Sequence, residues 1–297
     1  MANADRFDAL IVGGGPAGAA CALWLKLLGH SPVIVEKRDR LGGLQNENPF
    51  SGDWMLGQPG IAGPETAARI HDHVRQLGIP ARMRCTVTTV AKSPRGGWEA
   101  QVAGPEPGVL QARYLVLANG VTPVMGEFAE SGKVLIGPGR RVADFDFTGK
   151  RVAILGGGDN AFENFLFVRG RGAATARIFA RHLRARADYR RQVPADAVSL
   201  KPYRADASTM TVDGEPFDVF LVFYGWTPVS ALAGQIGLAT DERGFVRADD
   251  RRRASDPDAY AIGEIAQRLH PCVATSIADG IVCAKDIQQR LEAQAGS

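Results

Sequence analysis

The sequence predicts an α/β protein with two Rossmann-like dinucleotide-binding units, and three observations carry that prediction. The glycine signature Gly13-Gly14-Gly15-Pro16-Ala17-Gly18 directly follows the apolar run Ala9-Leu10-Ile11-Val12. A second one, Gly156-Gly157-Gly158-Asp159-Asn160-Ala161, directly follows Val152-Ala153-Ile154-Leu155. Each copy then opens a helix-like stretch, and a strand before the glycines with a helix after them is the context that makes the motif specific. Glycines alone would mean little, since 35 of the 297 residues are glycine.

In the first unit Gly13 permits the tight strand-to-helix turn, Gly15 lets the backbone approach a pyrophosphate, and Gly18 lets the helix pack on the sheet. The helix opening at Pro16 and Ala17 offers free N–H groups and a positive dipole end to phosphate. It runs from Ala19 to Leu28 and stops at Gly29, a good C-terminal residue. The buried strand Pro32–Val35 ends in Glu36, an acid placed to hold both hydroxyls of an adenosine ribose. After Lys37 comes a loop with Gly42-Gly43 and Asn48-Pro49, too rich in breakers for a long helix. Pro64 to Leu77 reads as a helix, with Pro64 in its first turn and Gly78 past its end. Ala81 to Ala91 and Trp98 to Val102 alternate like strands around the turn at residues 93–97. A buried strand from Arg113 ends in Ala118-Asn119-Gly120, and residues 121–150 connect to the second unit.

There, Arg151–Leu155 is the strand, Asp159–Arg169 the helix and Ala176–Ala180 the next strand. No carboxylate follows it; Arg181, His182, Arg184 and Arg186 do. A carboxylate would repel a 2′-phosphate, whereas arginine clamps it, so the pattern favours NADPH through Arg181 and Arg186. The alternative is a solvated basic face, because eight arginines fall between Arg169 and Arg191. The apolar stretch Val219–Trp226 is a buried strand. A last strand, Ala259–Ile262, leads to Gly263-Glu264, and a terminal helix runs from near Ser276 to Leu291.

A length of 297 residues suits two domains. With 45% hydrophobic and 23% charged residues the composition is that of a globular chain. The net charge of +3 is more than accounted for by the arginine stretch, so no nucleic-acid partner is implied. No apolar run is long enough to span a bilayer, and the N-terminus does not read as a signal peptide. Four scattered cysteines (Cys21, Cys85, Cys272, Cys283) show no C-x-x-C pair and no zinc spacing. A reducing compartment, the cytoplasm, and no metal site are expected.

Together these motifs resemble the thioredoxin reductase-like FAD/NAD(P)-binding flavoproteins over nearly the whole chain. The likeness rests on Gly13–Gly18, Glu36, Gly42-Gly43 and Leu117-Ala118-Asn119-Gly120, where the family usually has Ala-Thr-Gly. It continues through Gly156–Ala161 with Glu163, then Gly225–Pro228, and Gly263-Glu264, where the family usually has Gly-Asp. Thr275-Ser276 and Asp279-Gly280 complete it, with the seventeen-residue count from Glu264 to Gly280 kept.

The resemblance implies a discontinuous FAD domain, residues 1–121 and 243–297, with an NADPH domain, 122–242, inserted. It implies hinges at Thr122-Pro123 and Arg243-Gly244, and a homodimer. FAD contacts are implied for Gly13, Gly15, Pro16, Ala17, Gly18, Glu36, Lys37, Gly43, Leu44, Asn48, Val87, Ala118, Asn119, Gly120, Gly263, Glu264, Cys272 and Val273. For NADPH they are implied for Gly156, Gly158, Asp159, Asn160, Ala161, Arg181 and Arg186.

One departure decides the expected activity. The family's C-x-x-C dithiol aligns with Gly139 and Val142, and no cysteine lies between Cys85 and Cys272. Without that pair electrons cannot leave the flavin by thiol–disulfide exchange. The expectation is an FAD enzyme oxidising NADPH and reducing a ferredoxin or flavodoxin, a quinone or another small molecule. Ferredoxin-NADP reductases of the thioredoxin reductase type are the nearest analogue by resemblance. Phe50 or Trp54 either stacks on the flavin ring, in place of a C-terminal extension those enzymes carry, or packs within its loop. Cys272 aligns with a residue at the pyrimidine end of the flavin, as an active neighbour or an inert space-filler. Two rivals stand beside this reading: a non-catalytic flavoprotein acting through a protein partner, and a disulfide reductase using an atypical thiol.

Overall fold

The computed structural model of the chain describes residues 6–50, 53–267 and 270–295. In chain order the first segment forms β1 (Arg6–Val12), α1 (Pro16–Leu27), β2 (Pro32–Glu36), α2 (Gly63–Gln76), β3 (Ala81–Met83), β4 (Thr86–Lys92), β5 (Trp98–Ala103) and β6 (Gly108–Leu117). The middle segment forms β7 (Val121–Pro123), β8 (Val134–Ile136), α3 (Arg140–Ala143), β9 (Arg151–Leu155), α4 (Asp159–Gly170), β10 (Thr175–Ala180), α5 (Ala187–Gln192) and β11 (Val198–Leu200). It continues through three short strands, β12 (Ala205–Asp206), β13 (Thr211–Val212) and β14 (Glu215–Pro216), to β15 (Val219–Val222) and β16 (Trp226–Pro228). The chain closes with α6 (Ala231–Gln235), β17 (Ala259–Ala261) and α7 (Val273–Ala295).

Two compact units result: residues 1–121 with 228–297, and residues 122–227 inserted between them. The first contains a sheet of order β3-β2-β1-β6-β5-β4, with β17 also paired to β6. The strands around β1 are parallel, so both faces must be covered, and their residues divide accordingly. Ala9 and Ile11 face the helices α1 and α7, in one buried cluster with Cys21, Leu25, Cys283 and Ile287. Leu10 and Val12 face the antiparallel β4-β5 ribbon, in another cluster with Val87, Trp98 and Val102.

The second unit has an all-parallel sheet, β11-β10-β9-β15-β8. Phe162, Phe165 and Val168 of α4 cover one face of it. Phe179, Phe217 and Phe220 pack on the other, with Val212 and Tyr203 from the segment around the small ribbon. Both units are thus Rossmann-like, as the repeated glycine turns imply.

Several expected boundaries move. The stretch 81–91 is not one strand: Arg84 adopts a left-handed φ of 55°, and the Arg84 and Cys85 amides donate to Arg38 and Glu36 carbonyls. The chain thereby leaves the parallel sheet after β3 and re-enters as an antiparallel strand, β4. The run Val219–Trp226 breaks likewise at Gly225, whose φ is +107°. Helix α7 starts at Val273 rather than near Ser276.

The return to the first unit falls at Pro228, not at residue 243. Leu232, Ala233 and Leu238 belong to the same buried cluster as Val87, and the Gln235 amide donates to the Thr88 carbonyl at 3.1 Å. Arg243-Gly244 is therefore no hinge; it sits in a turn inside the first unit, closed by Gly244 N–H to the Asp241 carbonyl at 3.0 Å. The chain passes between units at β7 and β16, which pair with each other.

Asp286 on α7 ties that helix to β17. Its carboxylate accepts the Tyr260 hydroxyl at 2.7 Å, Arg253 at two 2.6 Å contacts and Arg251 at 3.1 Å. Burial alone would raise its pKa, but the bonds from Arg253, Tyr260 and Arg251 outweigh that and hold it below the ordinary carboxylate value. Because the folded value is the lower one, this stabilisation is complete above the unfolded pKa of about 3.9 and fades as pH falls through the folded pKa. Asp286→Ala is expected to cost about 2–3 kcal/mol, tempered by the partial exposure of both arginines. Chemical denaturation at neutral and acidic pH checks this: the deficit of the variant should shrink in acid.

Candidate functional site

The first glycine turn is built so that its glycines serve different ends. Gly13 has φ +108°, and a Cβ there would lie 2.3 Å from the Ala118 carbonyl oxygen, so the fold itself demands glycine. A Cβ on Gly18 would meet the Gly13 carbonyl at 2.0 Å, which lets α1 seat directly on the turn. Gly15 is different. Its φ of −67° suits any residue, and a Cβ would touch only Gly43 Cα, at 3.8 Å. Space is kept in front of the α1 N-terminus, where Pro16 opens the helix, that the fold does not require.

Around that space stand most of the residues expected to hold FAD. Glu36 is buried at the end of β2; its oxygens accept the Gly14 amide at 2.7 Å and the Arg38 amide at 2.8 Å. The carboxylate is thereby fixed beside the turn with its remaining lone pairs free to accept ribose hydroxyls. Gly42 N–H donates to the Gly14 carbonyl at 2.8 Å, bringing Gly43 against Gly15, with Leu44 next in the same short helical turn. Asn48 closes that turn and accepts the Phe50 amide at 3.2 Å, while Lys37 is exposed.

At the C-terminal end of β6, Asn119 Oδ1 is buried without a hydrogen-bond partner, and Gly120 turns at φ +67°. Gly263 packs on Ala17: a Cβ on it would lie 2.9 Å from the Ala17 Cβ, and its amide donates to buried Asp279 at 3.1 Å. The next residue, Glu264, is half-buried, its carboxylate has no hydrogen-bond partner among the described residues, and burial raises its pKa. An orphaned amide oxygen, a half-buried carboxylate without a hydrogen-bond partner and an open phosphate cradle fit a polar, phosphate-bearing ligand of FAD's kind. Val87 differs from these: its side chain is in the core, so only its backbone is available to a ligand. Trp54 is 82% exposed.

Cys272 directly precedes α7, and Val273 opens it. Cys272 is exposed, its amide donates to Thr275 Oγ1 at 3.0 Å, and the Thr275 amide reaches its Sγ at 3.5 Å. Burial works against the thiolate there, but the Thr275 and Ala274 hydrogen bonds outweigh it and lower the thiol pKa.

The second glycine turn repeats the design. Gly156 has φ +144°, and a Cβ would lie 2.3 Å from the Phe223 carbonyl; one on Gly157 would lie 2.0 Å from the His182 carbonyl. Gly158, at φ −95°, would meet nothing within 4 Å, so the space before α4 is again kept for something other than the chain. Ala161 is fully buried against the sheet, and the Asn160 carbonyl accepts Asn164 Nδ2 at 2.8 Å.

Arg181 is exposed just past β10 and forms no ion pair among the described residues. Its charge acts on the hydrogen-bonded hydroxyls of Tyr203 and Tyr224, 3.2 Å apart. Arg186 is engaged: its amide donates to Asp159 Oδ1 at 2.8 Å and its guanidinium lies 4.1 Å over the Tyr189 ring. Sequence reasoning missed the two tyrosines beside Arg181 and the Asp279 anchor under Gly263, because neither pairing is local. Among the described residues no His/Cys/Asp/Glu group could hold a metal, and no helix is long and apolar enough to cross a membrane.

Comparison with known proteins agrees with this architecture. Residues 140–280 match the pyridine nucleotide-disulphide oxidoreductase family, and residues 11–73 an NAD(P)-binding Rossmann-like domain. The chain is 28% identical to a ferredoxin–NADP reductase of Limosilactobacillus fermentum, over 88% of this chain and 86% of that one. It is 24% identical to a thioredoxin reductase of Bacillus subtilis, over 98% and 97%. Among solved structures, the thioredoxin reductase of Lactococcus lactis superposes with a TM-score of 0.79 at 21% identity, covering 95% of this chain and 98% of that one. That of T. acidophilum gives 0.79 at 23%, covering 96% and 98%.

Proposed function

We propose that this chain, similar over most of its length to ferredoxin–NADP and thioredoxin reductases, oxidises NADPH through FAD and reduces a one-electron carrier of the ferredoxin or flavodoxin kind. The observation that carries this reading is the contrast between two like glycine turns. One is flanked by a buried carboxylate, Glu36, and the other by exposed Arg181. A ribose bearing free hydroxyls suits the first and a 2′-phosphate the second.

FAD bound there would supply the redox chemistry, hydride transfer from NADPH and electron transfer to the acceptor. The α1 N-terminus beyond Gly15 holds the FAD pyrophosphate, Glu36 the adenosine ribose and Glu264 the ribityl chain. Gly156, Gly158 and the α4 N-terminus hold the NADPH pyrophosphate, and Arg181 the 2′-phosphate. A hydride moves with its electrons, so no side chain has to act as general base. The acceptor follows from the absence of a dithiol beside Gly139 and Val142 and from the name of one set of relatives, ferredoxin–NADP reductase. A quinone or another small molecule is the second acceptor class. Four free thiols suit work in the cytoplasm.

Anaerobic mixing with NADPH tests the reading: the visible flavin band should bleach and return on adding ferredoxin or flavodoxin. A flavin that stays oxidised would overturn it in favour of a non-catalytic flavoprotein. Arg181→Ala should raise the apparent constant for NADPH about ten- to a hundredfold and leave that for NADH nearly unchanged. Steady-state kinetics with both cofactors decides this, and equal use of the two by the wild type would reduce the arginines to a solvated face.

A further inference from the structure

We propose that Asp159 is a positioning residue for 2′-phosphate recognition, holding the arginine-bearing loop 181–186 against the second glycine turn. The proposal rests on the assignment of that turn to NADPH. Asp159 is the first residue of α4, where free N–H groups and the positive dipole end receive phosphate. An ionised acid at that point repels the same phosphate, so binding alone does not account for it. Its carboxylate is otherwise employed. Oδ1 accepts the Arg186 amide at 2.8 Å, and Oδ2 lies 4.0 Å from the Arg186 guanidinium.

The loop lies directly on the turn. The Gly157 carbonyl accepts the Arg184 amide at 2.7 Å and the Ala185 amide at 3.0 Å. A Cβ on Gly157 would lie 2.0 Å from the His182 carbonyl oxygen, so docking of the loop this close to the turn requires glycine there. Asp159 adds the side-chain bond to this docking. The far side of the loop returns to the same helix face: Tyr189, under the Arg186 guanidinium, donates its hydroxyl to Glu163 at 2.8 Å. Asp159 and Glu163 are four residues apart, one helical turn, and act as a two-point clamp. Arg181, at the opposite end of the loop, has no side-chain anchor among the described residues. Its aim at a 2′-phosphate therefore depends on where the loop backbone runs, and the clamp sets that path.

The test is calorimetric titration of the FAD-loaded protein with NADP+ and with NAD+, read as the ratio of the two affinities. Asp159→Ala removes the clamp and should lower the NADP+ preference about fivefold, the equivalent of one anchoring hydrogen bond, without weakening NAD+. Asp159→Asn keeps an oxygen for the Arg186 amide and should retain the ratio, while loss of the charge tightens both nucleotides. Tyr189→Phe releases the second anchor without touching the turn and should lower the ratio in the same direction. An unchanged ratio in both Asp159→Ala and Tyr189→Phe overturns the proposal, as does an equal loss for both nucleotides. If Arg181→Ala lowers the ratio while these two do not, only the clamp falls. If the wild type shows no preference for NADP+, the NADPH reading falls and takes the clamp with it.

Discussion

Replacing Gly15 by alanine is expected to leave the chain folded and to strip it of flavin. The backbone at Gly15 is extended, and a Cβ would reach only Gly43 Cα at 3.8 Å, so alanine fits the unliganded chain without strain. The same methyl group stands where a pyrophosphate must come against the α1 N-terminus. Overpacking of this kind costs about 1–3 kcal/mol, and the affinity for FAD should fall roughly ten- to a hundredfold. Gly13→Ala provides the contrast. It combines a φ of +108° with a 2.3 Å approach to the Ala118 carbonyl, so the loss appears as stability, about 3 kcal/mol or more. Wild-type protein should release one FAD per chain on denaturation. Thermal unfolding of the apoproteins, set beside flavin titration, separates the two glycines. A Gly15→Ala protein that keeps its full complement of flavin would sink the placement of FAD.

NADPH oxidation by this chain is expected to be indifferent to thioredoxin and to Cys272→Ser. A dithiol cycle needs a second thiol to resolve the mixed disulfide. Cys272 is exposed, and its hydrogen bonds with Thr275 lower its pKa, so it could form such an adduct. The rest of the chain cannot complete the cycle. Cys283 is eleven residues further on, about 16 Å by helical rise. It is buried with its sulfur 3.9 Å from Cys21, and burial raises its pKa. Cys85 is buried as well. Turnover followed with thioredoxin and a disulfide reporter should stay at background, while a ferredoxin or a quinone-like dye supports it. Robust thioredoxin-dependent turnover that disappears in Cys272→Ser would reinstate the atypical-thiol disulfide reductase.

Legibility in the primary structure followed locality. Both glycine turns could be read because a strand, a φ near +110 to +140° and a helix start all lie within a few residues of one another, at Gly13 and at Gly156. The burial of Glu36 at the end of β2 could be read because the apolar run Pro32–Val35 leads directly into it. The break at Arg84 was not legible, since an arginine with positive φ carries no turn signature, and the Arg84 and Cys85 amides are held by the carbonyls of Arg38 and Glu36, far away in sequence. The unit boundary at Pro228 was equally hidden: α6 is five residues long, and its allegiance is decided by packing against β4.

Composition and local pattern were enough to establish an α/β chain with two dinucleotide turns, a carboxylate beside one, arginines beside the other, and no dithiol between them. Those properties reside in short runs of residues whose backbone geometry admits few alternatives. Folding in three dimensions determined how the charged groups are used. Asp159 reads as a member of a phosphate motif, yet its carboxylate holds the amide of Arg186, 27 residues later. Arg181 and Arg186 look equivalent in the chain, but one is unpaired among the described residues and the other is stacked and clamped. Asp279 acquires its role by accepting the amide of Gly263, beneath Glu264. A charge acts on whatever folding brings within a few ångströms, and that distance is written in no stretch of sequence.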